Sequence, residues 1–352
     1  MSGRVPAAAI DGLIRDCMAA VGLPPHDAAR VAELMLEADL TGADAHGVFR
    51  LPQYVRRIKG GAVNPTPRIT VEKTGAATAM VDGDNGMGHL VMTRAAETAN
   101  ELAKDNGVAW VGARRSNHAG AAGVYAAMPL RQDMVGIYSV VANANHMPVW
   151  GSSENLLGTN PVAFAIPAGE EPPVVLDIAT TVVSYGTVKA NRMQGKPMPP
   201  GWMIDKQGQP LTDSAKSADG LLMPIGGHKG SGLALVLGLL AGTLNGAAFG
   251  RDVVDFNYDD ETACDTGHFI VALDVGRFLP LPVFKAAVDR HLRDLKSSPK
   301  LPGVDAIRLP GEQRATRRAE RAKNGVPVYA EVVELLDKLA GELKVKPLKA
   351  RF

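Results

Sequence analysis

Three histidines, each beside a cation, are the residues of this 352-residue chain best equipped for proton chemistry. His46 and Arg50 stand four residues apart, so helical geometry would project both from one side, one turn apart. A group that trades protons near neutral pH, beside a planar five-donor cation, suits a substrate carrying a carboxylate next to a reacting carbonyl. A first-turn histidine with a solvated arginine would show the same spacing. His118 sits in a polar, glycine-rich stretch, Arg114 to Gly120, between the apolar run Val108–Val111 and the Ala-rich run Ala121–Leu130. Strand, glycine-rich turn and helix start together aim free backbone N–H groups and a positive helix end at an anion. Gly120 and Gly123 let a ligand approach the backbone, although an ordinary βα turn reads the same way. His228 and Lys229 open a second such helix start, with Lys229 as a point charge.

The elements that must position these residues follow from periodicity. Asp27 can cap a helix whose apolar positions are Val31, Leu34, Met35 and Ala38, with Gly42 ending it. Leu51, Tyr54, Val55 and Ile58 mark the next helix, with Pro52 tolerated in its first turn. Ile69–Thr74 and Thr78–Asp82 read as a hairpin through Gly75, followed by a helix over 90–104. Met134–Ala142, Gly158–Pro167, Pro173–Ile178 and His268–Asp274 read as strands. Thr159 and Asn160 lie at the mouth of one, and Asp177, Thr180 and Thr181 at the carboxyl end of another, where α/β proteins bind ligands. A capping role explains Asp177 equally well. Residues 143–158, with His146, Trp150 and Ser152, and residues 196–213 are long polar loops of the kind that form lids, binding loops or dimer arms. Leu233–Leu244 reads as a buried helix in which Gly238 and Gly242 permit close packing. Leu281–Leu295 is a further helix, Leu309–Gly325 a charged one, and the tail KVKPLKARF is expected to be disordered or peripheral. Strands and helices alternate, but no strand is followed by GxGxxG, so a Rossmann fold is not indicated.

Composition narrows the class. Hydrophobic residues at 46% and charged residues at 21% are those of a globular protein. A formal net charge of +1 offers no field to recruit nucleic acid or an anionic membrane. Cys17 and Cys264 have no metal or redox spacing, and no HExxH or other short ligand spacing joins His46, His118, His146 and His228, so no metal site is expected. The N-terminal residues lack the apolar core of a signal peptide, and no apolar run spans a bilayer, so a soluble cytoplasmic protein is expected.

Six segments taken together resemble the type 2 malate/L-lactate dehydrogenase family: Asp44-Ala-His-Gly-Val-Phe-Arg-Leu-Pro, Ser116-Asn-His-Ala-Gly-Ala-Ala-Gly, Gly158-Thr-Asn-Pro-Val-Ala-Phe-Ala-Ile-Pro, Asp177-Ile-Ala-Thr-Thr, Gly226-Gly-His-Lys-Gly and Leu309-Pro-Gly-Glu. They come in the family's order across roughly residues 27–325. The resemblance implies an α/β, non-Rossmann mixed-sheet fold of the L-sulfolactate dehydrogenase-like type. It implies a helical domain from 1–67 with about 280–352, a nicotinamide-binding α/β domain from 68–140 with 226–279, and substrate loops over 141–225. It further implies a cytoplasmic homodimer that uses NAD or NADP on small carboxylates, among them 2-hydroxy acids and cyclic 2-imino acids. By the same resemblance His46 is the general acid/base, with His118 its rival, Arg50 clamps the substrate carboxylate, and Thr159 contacts substrate. His118, Ala119, Gly120, Ala121, Ala122, Asp177, Ile178, Ala179, His228, Lys229, Gly311 and Glu312 would hold the cofactor. Three positions depart from the family pattern: Ala45 replaces a common Ser, Ser231 a common Tyr, and Ala142-Asn-Ala-Asn-His146 a common Thr-Asn-Ser stretch. They bear on proton relay and on substrate identity.

The expected reaction is hydride transfer between nicotinamide and C2 of a 2-oxo, 2-hydroxy or 2-imino acid. A member that keeps the cofactor but has lost turnover, through Ala45, and a metal-dependent hydrolase are the other classes.

Overall fold

The computed structural model describes residues 2–352. The chain begins with strand β1 (Ser2–Val5) and three helices, α1 (Ala7–Ala20), α2 (Pro25–Thr41) and α3 (Leu51–Lys59). A hairpin, β2 (Thr70–Gly75) and β3 (Thr78–Asp82), leads to α4 (Gly88–Asn106), β4 (Val108–Ser116), the short α5 (Ala122–Ala126) and β5 (Met134–Val140). Two brief strands, β6 (Met147–Pro148) and β7 (Asn155–Leu157), precede β8 (Val162–Ile166), β9 (Val174–Ile178) and α6 (Tyr185–Met193). Next come β10 (Met203–Ile204), β11 (Leu221–Leu222), α7 (His228–Ala241), β12 (Thr266–Asp274) and α8 (Leu281–Ser297). The chain finishes with α9 (Glu312–Asn324), β13 (Val326–Tyr329) and α10 (Ala330–Glu342).

Seven strands form one mixed sheet in the order β2-β3-β4-β12-β5-β8-β9. Only β3 and β4 run parallel; every other neighbouring pair is antiparallel. A doubly wound dinucleotide fold needs consecutive parallel strands, so this is a different architecture. Alternation along β12 sorts its side chains by face. Ile270 and Ala272 join the core under α4 and α5, whereas Phe269 and Val271 pack with Leu237 and Ala241 of α7.

A second core is made by the two ends of the chain together. β1 pairs with β13, and Ile10, Leu13, Val31, Met35, Leu51 and Val55 pack with Val326, Leu336 and Leu348. Fully burying each large aliphatic contributes roughly 1.5–3 kcal/mol. This core underlies the turn between α2 and α3.

Several expectations need correction. Asp27 lies within the first turn of α2 but its side chain caps nothing; Pro25 starts the helix instead. Leu51–Ile58 is helical as expected, with Pro52 in its first turn. β4 runs on through Ser116 because Ser116 pairs with Thr266, and α5 is five residues long because Pro129 cannot continue it. α6 has one fully buried apolar residue, Val188, too few to give a periodic signal. α7 is buried on one face only: Ala234, Leu237 and Ala241 are buried, whereas Leu233, Leu235, Val236 and Leu239 are exposed, and Gly238 and Gly242 do sit against Phe249 and the Ala248 carbonyl. The basic tail is docked, with Leu348 fully buried and Arg351 donating to Asp16 at 2.6 Å. Among the described residues no helix is long and apolar enough to cross a membrane.

Candidate active site

His46 and Arg50 do not share a helix. They lie in two three-residue 3-10 turns, Asp44–His46 and Val48–Arg50, separated by Gly47. The buried carboxyl of Asp39, near the end of α2, accepts the Val48 N–H at 2.8 Å, and a Cβ on Gly47 would collide with it. Burial pushes the Asp39 carboxyl up to about 8. Arg321 of α9 pairs with Asp44, so the turn is tied on both sides.

From this turn His46 stacks on His118, with ring centroids 5.4 Å apart and planes 17° apart. His118 also stacks on Phe256 at 4.8 Å. The Arg50 guanidinium lies 5.2 Å from the Phe256 centroid, donates to the Ala45 carbonyl at 2.9 Å and to Gln53 Oε1 at 2.6 Å. Among the described residues no carboxylate lies within ion-pair distance of Arg50. The site therefore holds a buried cation without a counterion.

The tautomer of His118 follows from its partners. Gly120 N–H donates to Nδ1 at 3.2 Å, and an amide N–H can only donate, so Nδ1 is the acceptor. The Tyr54 hydroxyl, 2.6 Å from the same nitrogen, donates too, leaving the ring hydrogen on Nε2. His89 meets the Tyr54 ring edge-on at 5.4 Å. Both of its nitrogens, and Nδ1 of His46, are buried without a protein partner. Each such atom costs about 1–3 kcal/mol, so their concentration in one pocket marks a place kept for a ligand. His268 shows the contrast: equally buried, it is bonded to Tyr138 at 2.8 Å and Ser116 at 3.0 Å and needs nothing more.

Burial dominates the electrostatics. It pushes His46 and His89 down to about 3, assisted by the Arg50 charge at His46 and by His46 at His89. His118 is lowered too, by burial first and then by Arg50. All three rings are neutral at physiological pH while Arg50 stays charged.

The remaining candidate residues surround the ends of β4 and β9. Ala119, Ala121 and Ala122 are buried beside Gly120, and Tyr125 donates to the Ala119 carbonyl at 2.5 Å. Asp177 accepts the Gly123 N–H at 2.7 Å, so its carboxylate serves the α5 start; a Cβ on Gly123 would lie 2.8 Å from both Asp177 and Arg314. Past Ile178 and Ala179, Thr180 donates through N–H and hydroxyl to the Thr159 carbonyl, each at 2.9 Å. Ile225 donates to the Thr180 carbonyl at 2.9 Å, bringing exposed His228 and Lys229 at the α7 start to the same end of the sheet. Gly311, at φ 99°, lies against Pro173 and Val175 of the β9 region, while Glu312 holds Lys296 at 2.5 Å and the Leu309 N–H at 3.1 Å.

Sequence reasoning missed Tyr54, His89, Gln53 and Phe256. Tyr54 reads as one apolar position among others, and Phe256 lies in no periodic segment. The histidine of Gly86-Met-Gly-His89, close to glycines as His118 is, is the one signal that was available.

The family model described as malate/L-lactate dehydrogenase matches residues 5–337. The chain is 36% identical to malate dehydrogenase of Pyrococcus horikoshii, over 98% of this chain and 97% of that protein. It is also 36% identical to L-sulfolactate dehydrogenase of Methanocaldococcus jannaschii, over 94% of each. A crystal structure of malate dehydrogenase from Entamoeba histolytica superposes with a TM-score of 0.94 at 29% identity, covering 98% of this chain and 99% of that one. The mixed sheet, the paired histidines and these likenesses lead to one assignment: the chain belongs to the malate/L-lactate dehydrogenase family of oxidoreductases.

Proposed function

We propose that the protein moves hydride between a nicotinamide dinucleotide, NAD or NADP, and C2 of a small 2-hydroxy or 2-oxo acid or cyclic 2-imino acid. The observation that carries this reading is Arg50, a buried guanidinium without a counterion beside stacked neutral histidines. A substrate carboxylate supplies the missing anion and sets C2 near the rings. The pocket fits a cofactor as well: His89 and His46 keep unpartnered buried nitrogens, and a Cβ on Gly120 would crowd His89 Nε2 at 3.1 Å.

When bound, the nicotinamide accepts or returns the hydride. The chain's own groups handle the rest. In the oxidative direction neutral His46 takes the hydroxyl proton as the C2 hydride departs, so electrons and protons leave together as the carbonyl forms. In the reductive direction the substrate carboxylate offsets the Arg50 charge, the smaller of the two causes that depress His46 after burial, and so raises the ring's hold on the proton it delivers. His118, with Nδ1 occupied by two donors, offers Nε2–H as a hydrogen-bond donor and orients the reacting oxygen. We assign substrate contact also to Thr159, and the dinucleotide to His118, Ala119, Gly120, Ala121, Ala122, Asp177, Ile178, Ala179, His228, Lys229, Gly311 and Glu312, with the sheet unit as its scaffold. Ala45 faces the α6 backbone, where a Cβ on Gly186 would fall 2.8 Å from its methyl, so it supplies packing and no proton relay.

We further infer a homodimer, supported by the exposed apolar face of α7, and a cytoplasmic, reducing setting, supported by the two buried free thiols; burial pushes Cys17 up to about 12. The test is loss of absorbance at 340 nm with NADH and then NADPH against pyruvate, oxaloacetate and the cyclic imino acids. Turnover on one class is the expected result; measurable cofactor binding with no turnover on any would overturn the reading in favour of a silent binding protein.

A further inference from the structure

Lys189 is a second cation at this site. It stands three residues after Gly186, whose backbone packs on Ala45, so α6 lies directly beside the turn that carries His46. The short segment 255–257 approaches from the other side and serves both cations. Phe256 lies under Arg50, and its carbonyl accepts from Gln53 at 2.7 Å, the residue that holds the guanidinium. The next residue, Asn257, accepts the Lys189 ammonium on Oδ1 at 2.7 Å. Asp255 Oδ1 accepts both the Asn257 backbone N–H, at 2.9 Å, and its side-chain amide, at 2.7 Å, which leaves the amide oxygen free to face Lys189.

The ammonium is thus aimed but not neutralised. Among the described residues no carboxylate lies within ion-pair distance of Lys189, and the Tyr185 ring lies 5.3 Å away. His146 stacks on that ring at 3.6 Å, closing the apolar side. Lysine is held down to about 8 here, by burial first and then by the Arg50 charge, with Asp255 opposing and Arg192 adding to the effect. An anion between the two cations would relieve both.

We propose that Lys189 selects the substrate by its far end, receiving a second acidic group while Arg50 holds the carboxylate next to C2. The assignment rests on the reading of Arg50 given above. It makes a short dianionic 2-hydroxy or 2-oxo acid the favoured substrate over its monoanionic isostere, and makes Lys189 a specificity determinant that takes no part in the proton transfer. Neither sequence periodicity nor charge count points to it, because its partner Asn257 is 68 residues away.

The test separates binding from chemistry. The full chain, saturated with NAD, is titrated calorimetrically with succinate and with butyrate, which share a carbon skeleton but differ in the second acid. Wild type is expected to prefer succinate. Lys189→Met is expected to lose that preference by about 10-fold or more while butyrate affinity is unchanged, and Lys189→Arg to retain most of it. A wild type without preference for succinate, or a Lys189→Met protein that keeps it, overturns the proposal. Should Lys189→Met melt early, Lys189→Gln, which can still donate to Asn257, gives the same readout. A parallel assay with oxaloacetate and 2-oxobutyrate distinguishes the two readings. Succinate preference without turnover of either oxo acid or of the cyclic imino acids would remove the hydride-transfer reading and leave the subsite standing.

Discussion

Two regions of the molecule treat arginine in opposite ways. The groove between α2, α4 and α9, a cavity of about 870 Å³, is lined by Arg30, Arg94, Arg131 and Arg318 together with Glu33, Glu37 and Glu97. There Arg30 pairs with Glu33 at 2.7 Å and Glu97 at 3.4 Å, Arg131 with Glu33 at 3.7 Å, and Arg318 with Glu37 at 3.0 Å. The pocket around Arg50 holds one guanidinium, three imidazoles and no carboxylate partner. Open to water, the groove charges interact by about 1 kcal/mol at 4 Å; sealed away, the same charge acts several times more strongly. The groove has more charge and the pocket has the chemistry. On the proposed reading, a cation becomes functional here by being buried without a counterion, which leaves the substrate to provide one.

Mutation can break this contrast, and the largest effect belongs to the pocket. His46→Ala is expected to lower kcat by about 100- to 10,000-fold with nicotinamide binding intact, measured by steady-state turnover and fluorescence titration. Wild-type kcat/KM for oxidation should stay level from about pH 7 down to about 5, since His46 in the free site is neutral above about 3 and Lys189 is charged below about 8. A larger loss in His118→Ala would transfer the proton role to that ring.

A smaller effect, on stability, belongs to the floor of the pocket. Unfolded Asp39 releases its proton near 4, whereas the folded carboxyl holds it to about 8. Between those values the folded state binds more protons, so wild-type stability falls as pH rises through the window, by up to about 1.4 kcal/mol per unit. Asp39→Asn, an isostere of the neutral acid that still accepts from Val48, is expected to flatten that decline in urea melts from pH 5 to 8. A variant with unchanged pH dependence would show that Asp39 is ionised in the folded protein.

The smallest effect belongs to the groove. Arg318→Ala should cost no more than about 1 kcal/mol and leave kcat unchanged, judged by thermal melts and the same assay. A loss of turnover comparable to that of His46→Ala would make the groove part of the site.

How much of this was legible in the sequence depended on whether the cause was local. The repeat of Val31, Leu34, Met35 and Ala38, and the Gly75 hairpin, are short-range patterns, and α2, β2 and β3 form where the patterns place them. His46, Arg50 and His118 stood out by residue type, and the structure brings the three into one pocket. Their geometry was not legible: Gly47 splits the turn because Asp39 occupies the space a helix side chain would need. Tyr54, Phe256 and Lys189 were missed for the same reason, since each gains its place from a partner more than 60 residues away. α6 went unseen because a helix that buries one apolar residue leaves no periodic trace, and the tail was misjudged because the side that receives Leu348 is built by α1 and α10.

The core built by both ends of the chain has a consequence for the order of events during synthesis. The turn carrying His46 is made early, yet its tether Arg321 and the packing partners Val326, Val332 and Leu336 beneath it emerge from the ribosome some 280 residues later. At typical elongation rates that is a wait of roughly 15–60 s. Through that interval the nascent sheet can form while the turn that carries His46 waits for its Arg321 tether and for half of the core beneath it.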